Sequence, residues 1–194
     1  MSEQSKYEYT GSNVLINLLG IRDADELNRY EAIVTKERLA QLALKPVEGT
    51  FDLEHLKAIH YFVFQDVYPF AGKLREEDIA KDYFTFAPTQ FIESSAKYLF
   101  GQLKRDGHLK DLDPNRFAER AAHYMAEINV LHPFREGNGR TQREFIRQLA
   151  QHAGHDLDWS RLDPDRIQRA SIRSKADIME LVQVIKGGIQ PQLD

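Results

Sequence analysis

The feature that most constrains this chain is a helix that must stop, turn and restart within a few residues. Phe117, Ala121, Tyr124 or Met125, Ile128 and Leu131 recur at helical spacing, behind Asp113 as a cap and Pro114 in the first turn. That stripe runs straight into His132 and Pro133. The residue before a proline is biased away from the helical region, so the helix is expected to end there. Thr141 to Ala153 then reads as a second helix, with Phe145, Ile146, Leu149 and Ala150 on its buried face. Between the two lies Phe134-Arg135-Glu136-Gly137-Asn138-Gly139-Arg140, a glycine-bearing turn immediately before a helix start.

The residue types in that turn suit an anion. Two glycines flanking an asparagine can take positive φ at little cost, so that successive backbone N–H groups converge into a nest. The first turn of the following helix adds unpaired N–H groups and a positive dipole end. Arg140 and Arg143 are three apart and can both fork onto phosphate oxygens. Glu136 is placed to hold Mg²⁺ against the same phosphates, and His132 has the proton affinity of a base near neutral pH. Phe134 reads as an apolar anchor beneath the loop. The turn taken alone is equally compatible with a plain helix cap flanked by solvated arginines. The whole string is more restrictive: eight specified residues, each at ~5% usage, recur by chance in roughly one chain in 10^8.

The string resembles the signature of the Fic family, His-Pro-Phe-x-Asp/Glu-Gly-Asn-Gly-Arg-x-x-Arg, with every specified position matched by His132 to Arg143. The helical context from about Phe51 onward is similar as well. The resemblance implies a mainly α fold, a Fic-type helical bundle with a small β-hairpin flap over the active site. It implies a protein adenylyltransferase that moves AMP from ATP to a Ser, Thr or Tyr hydroxyl of a target protein, with Mg²⁺. His132 is the expected catalytic base and Glu136 the expected metal ligand. Gly137, Asn138, Gly139, Arg140 and Arg143 are expected to bind nucleotide, Asn138 orienting the α-phosphate. A relative that transfers the γ-phosphate typically carries lysine where this chain has Gly139, so AMP transfer is the expected reaction.

Lys73 to Pro88 lacks a helical period and ends in Tyr83-Phe84-Thr85-Phe86, a run of strand formers. It reads as the hairpin flap, which in the resembled family docks an extended target segment by strand addition. Ile79 is the expected clamp, with Lys73 and Arg75 as polar contacts to the target; a solvated hairpin without a docking role is the alternative. Pro164 to Arg173 and Lys175 to Ile185 read as two closing helices, where Ala170 and Ser171 are weak candidates for an adenine pocket.

Length and composition set the remaining bounds. A chain of 194 residues with 42% hydrophobic and 29% charged content matches a soluble domain with a sizeable core. The expected division is an N-terminal arm and helical extension over 1–50 and a catalytic core over 51–194, together one compact unit. A net charge of −4 with scattered basic residues argues against direct nucleic-acid binding. No apolar run approaches a membrane span, no signal pattern opens the chain, and cysteine is absent, which together suggest a cytoplasmic bacterial protein, with secretion into a host cell left open.

Many Fic proteins carry an inhibitory Ser/Thr-x-x-x-Glu-Gly/Asn helix whose glutamate meets the arginine matching Arg143. Here Thr50 to Glu54 and Thr89 to Glu93 have the spacing but are followed by His55 and Ser94. The expectation is therefore a toxin restrained in trans by a small antitoxin, acting on a type II topoisomerase subunit. The alternatives are an injected effector that modifies host small GTPases, or a nucleotide-binding scaffold without turnover.

Overall fold

The computed structural model describes residues 4–81 and 84–191. Among them are seven α-helices: α1 (Ala24–Leu44), α2 (Leu53–Phe64), α3 (Ile92–Arg105), α4 (Pro114–Leu131), α5 (Asn138–His152), α6 (Pro164–Arg173) and α7 (Met179–Gly188). Side-chain caps begin several of them. Asp23, Asp52 and Asp113 accept hydrogen bonds from the backbone N–H groups of Glu26, His55 and Asn115, at 2.8, 2.9 and 2.9 Å. The long helix α4 lies at the centre, packing on α3, α5 and α7, while α2 packs on α1, α3 and α5. Leu56, Ile59, Val63 and Phe64 of α2 meet Phe117, Tyr124 and Met125 of α4 and Phe145, Ile146 and Leu149 of α5 in one core.

Three boundaries depart from the sequence expectations. Helix α5 starts at Asn138 rather than Thr141, because the Gly137 carbonyl accepts from the Thr141 N–H at 3.1 Å and from its hydroxyl at 3.0 Å. The last helix starts at Met179 rather than Lys175, since Ala176 and Asp177 turn back onto the Arg173 carbonyl and Asp177 then accepts from the Met179 N–H. The hairpin is minimal: β1 (Ala80–Lys81) pairs antiparallel with β2 (Phe84–Thr85), Ala80 opposite Thr85. Tyr83, read as part of that strand, lies outside the described residues.

Residues 4–23 run as an irregular arm, folded on itself by a bridge between Glu8 and Leu15 and pinned to the body by the Leu18 N–H on the Val67 carbonyl and by Tyr7 set edge-on to Phe70. Helix α1 turns polar residues toward the body. Ile33 is 69% exposed, whereas Glu31 and Thr35 are buried.

The contact that ties the loop after α4 to this body is His60. Its ring is fully buried between Phe64 and Phe134, with centroids 4.7 and 3.9 Å away. Nδ1 accepts from the Gly72 N–H at 2.8 Å, so Nε2 carries the hydrogen and donates to the Glu136 carbonyl at 2.9 Å. Burial pushes its pKa down to about 4, with the Arg140 charge acting in the same direction. A group held neutral in this way takes up a proton on unfolding between pH 6.5 and 4. Its contribution to stability is therefore present above that window and lost as the pH falls through it, by about 3 kcal/mol. Urea titrations at pH 7 and pH 4 should show the wild type losing about that much more stability than His60→Gln. Equal losses would exclude His60 as the acid-sensitive tie.

Candidate active site

Helix α4 ends at Leu131, and His132 adopts φ 45°, ψ 60°, a left-handed conformation that costs a side chain about 1–2 kcal/mol. Two anchors hold it there. Its N–H still reaches back to the Ile128 carbonyl at 2.9 Å, and its carbonyl accepts from Arg75 Nε at 2.8 Å. Arg75 also donates its backbone N–H to Pro133, Nη1 to the Glu77 carbonyl at 2.9 Å, and Nη2 to the Ala87 carbonyl. At 2% exposure it is no polar contact for a docking target. Its role is corrected to that of a brace, because the backbone carbonyls of the α4 end and of the 73–88 segment converge on one guanidinium.

The imidazole of His132 is oriented from two sides. Nδ1 lies 3.3 Å from the Asn129 carbonyl, which assigns the hydrogen to Nδ1 and leaves Nε2 as the proton acceptor. Phe86 stacks on the ring at 3.8 Å, and Lys175 Nζ sits 4.6 Å from the centre of the Phe86 ring. Phe86 was legible only as one strand former among several; nothing local marks it as the neighbour of His132.

Beyond Pro133, Phe134 is buried against His60. Asn138 turns inward: Oδ1 accepts from the Phe134 N–H at 3.0 Å and Nδ2 donates to the Phe134 carbonyl at 2.7 Å. Its amide is therefore committed to closing the loop, which corrects the expectation that it orients a phosphate. The two glycines also differ. Gly137 has φ 79°, and a Cβ there would stand 2.2 Å from Phe64 Cζ. Gly139 is an ordinary helical residue whose Cβ would come within 3.3 Å of Arg143 Nη1. Gly137 is needed for the turn and the close floor, whereas a Cβ at Gly139 would crowd only the flexible end of Arg143. The glycine pair is thus not the symmetric nest expected; the open donors are the first N–H groups of α5.

The charges around this helix start are unequally placed. Arg140 Nη2 is 2.5 Å from Glu31 Oε1 and 3.5 Å from Glu136 Oε1, whose carboxylate also accepts from the Gly137 N–H at 2.8 Å. Arg143 meets no carboxylate among the described residues, and both burial and the adjacent Arg140 lower its pKa. Its carbonyl accepts from Trp159 Nε1 at 3.0 Å. An open cleft of about 2210 Å³ brings together His132, Glu136, Gly137, Gly139, Arg140 and Arg143, with Ile79, Phe86 and Ser171 on its walls. Lys73 is exposed outside this lining, and Ala170 is fully buried in the core, which removes it from any adenine pocket. Ser171 reaches the cleft with its hydroxyl on the Ile167 carbonyl, while its own carbonyl accepts from Asn129 Nδ2.

A histidine, a carboxylate, two arginines and a helix N-terminus thus line one cleft, and residues 50–150, which contain all of them, fit the Fic/DOC family. The chain belongs to that family. It is 48% identical over 176 residues to the protein adenylyltransferase VbhT of Bartonella schoenbuchensis, an alignment that covers 86% of this chain but 37% of that longer protein. It is 40% identical over 180 residues to the probable protein adenylyltransferase y4lH of Sinorhizobium fredii, covering 92% of each. The fold superposes on the BepC protein of Bartonella tribocorum, a VirB-translocated effector with AMPPNP bound, with a TM-score of 0.88 at 27% identity, over 96% of this chain and 97% of that one.

If Arg75 braces the Fic loop as described, Arg75→Lys should be damaging, because one ammonium cannot reach carbonyls on both sides of the segment. The expected loss is about 3 kcal/mol of stability in urea, as two or more charge-assisted hydrogen bonds disappear. A variant as stable as the wild type would remove Arg75 from that role.

Proposed function

We propose that this chain is a protein adenylyltransferase that moves AMP from ATP to a hydroxyl side chain of another protein. The observation that carries this reading is that His132, its Nδ1 held on the Asn129 carbonyl, lines one cleft with both arginines and the start of α5. The names of VbhT and y4lH, and the AMPPNP bound to BepC, point to the same chemistry.

Phosphoryl-type transfer depends mainly on positioning and on neutralising charge. The N–H groups opening α5 and the Gly137 turn receive the α-phosphate, and Arg140 and Arg143 take the β and γ groups. Glu136, a carboxylate on the cleft lining next to the start of α5, suits Mg²⁺, which keeps most of its waters and takes further oxygens from substrate phosphates. Bound there, the ion would neutralise phosphate charge. An acceptor Ser, Thr or Tyr hydroxyl gives its proton to His132 Nε2 while its oxygen bonds to the α-phosphorus. The bond from that phosphorus to the bridging oxygen breaks, and pyrophosphate leaves. Gly139 favours this outcome over γ-phosphate transfer, because a side chain there would crowd Arg143. Ile79, on the cleft wall next to β1, is the residue we assign to clamping the target segment, with Lys73 at its exposed edge. Ser171 stays as a wall of the adenine side.

We extend the proposal to a toxin restrained by a small antitoxin, with a type II topoisomerase subunit as target. It is supported by the incomplete inhibitory motifs at Thr50 and Thr89, and by Arg143, which no carboxylate covers among the described residues. The likeness to BepC supports a translocated effector as the second reading. Among the described residues no helix is long and apolar enough to cross a membrane.

Incubation of the purified chain with a bacterial lysate and ATP labelled at the α or the γ position tests the reaction. Label from the α position alone is expected, and His132→Ala should reduce it by at least ~10²-fold, the usual share of a general base. Transfer of γ label, or full activity in His132→Ala, would overturn the assignment.

A further inference from the structure

We propose that Glu31, on α1 and outside the segment that matches the Fic/DOC family, is a positioning residue for nucleotide binding: it aims Arg140 at the phosphates of ATP. The proposal rests on Arg140 being a phosphate ligand, as in the function proposed above.

Glu31 is 8% exposed, and each of its carboxylate oxygens has a partner. Oε1 lies 2.5 Å from Arg140 Nη2, and Oε2 accepts from the Tyr68 hydroxyl. One turn along α1, Thr35 donates its hydroxyl hydrogen to the Glu31 carbonyl at 2.7 Å, which leaves its oxygen to accept from Arg140 Nη1 at 3.2 Å. Two acceptors on successive turns of α1 thus grip both terminal nitrogens of one guanidinium. Phe64 completes the seat, with its ring centre 4.8 Å from the Arg140 Cζ. The same ring forms the floor under Gly137, so the depth of the arginine and the depth of the turn share one reference surface.

The arrangement leaves Arg140 fixed in plane and direction while part of its side chain still faces the cleft beside Glu136. A long arginine otherwise loses considerable rotamer freedom when it binds an anion. Here that freedom is removed in advance. If the only task were to join α1 to α5, apolar side chains would serve without burying a carboxylate, which is stable here only because it is paired. Tyr68 is part of the device: burial and the Glu31 charge both raise its pKa, so it remains a hydrogen-bond donor throughout the ordinary pH range.

Calorimetric titration of the full chain with MgATP separates positioning from structure. Glu31→Gln should weaken binding about tenfold, and Tyr68→Phe, which removes only the hydroxyl, should weaken it in the same direction. In an Arg140→Ala background, Glu31→Gln should change the affinity less than about twofold, because the residue acts through that arginine. Wild-type affinity in both Glu31→Gln and Tyr68→Phe would overturn the proposal, as would an equal effect of Glu31→Gln with and without Arg140. Binding is read without turnover, so a chain that holds ATP but transfers no AMP refutes the proposed reaction while the cycle still reports on Glu31. A wild-type chain that binds no ATP refutes both.

Discussion

The site depends on a neutral histidine used as a two-ended tie. His60 receives a hydrogen bond from the Gly72 N–H and gives one to the Glu136 carbonyl, so a single ring joins the turn after α2 to the middle of the signature loop. Both bonds are satisfied only by one tautomer, and a second proton on Nδ1 would abolish the bond from Gly72. Stacking on Phe134 fixes the ring's plane, and Phe134 in turn is clamped by the Asn138 amide. Remove the tie and the loop loses its register on α2; with it in place, the N–H groups at the start of α5 keep a defined direction.

Much of the scaffold was legible because its determinants are local. Asp52 and Asp113 act as caps two or three residues from the N–H groups they satisfy, and the apolar stripe of α4 is written at its own period. The signature string likewise places His132, Glu136 and both arginines on one cleft because they sit on consecutive structural elements. What escaped was long-range or directional. Arg75 and the His132 carbonyl are 57 residues apart, and Arg140 and Glu31 are 109 apart. A charged residue that ends up buried looks in the sequence like any solvated one. Asn138 illustrates the directional failure: its position was right, but an amide able to face a phosphate can equally face the loop's own backbone, and here it does.

The two arginines show how the fold makes similar residues unequal. Three apart on α5, they share a face, yet one meets a carboxylate from α1 and the other meets none among the described residues. Arg140 is ordered before any ligand arrives. Arg143 keeps a partly desolvated charge whose natural complement is an anion. Gly139 lies beside the Arg143 guanidinium, and a Cβ there would come within 3.3 Å of its Nη1.

The same logic explains why the strained His132 is tolerated. A left-handed residue at the end of α4 turns the chain sharply enough for Pro133 and Phe134 to dive into the core, and that dive is what brings Gly137 down onto Phe64. Arg75 offsets the strain by fixing the carbonyls on either side of the turn, and Phe86 covers the exposed ring face. The inward-facing backbone groups that close the loop have protein partners: the Glu136 carbonyl has His60, the Phe134 backbone has Asn138, and the His132 carbonyl has Arg75. The first N–H groups of α5, which have no acceptor within the helix, lie where Gly137, Gly139 and Arg140 line the cleft. A loop whose backbone is held from the core side is preorganised for an anion, since binding at the start of α5 leaves the bonds from His60, Asn138 and Arg75 in place.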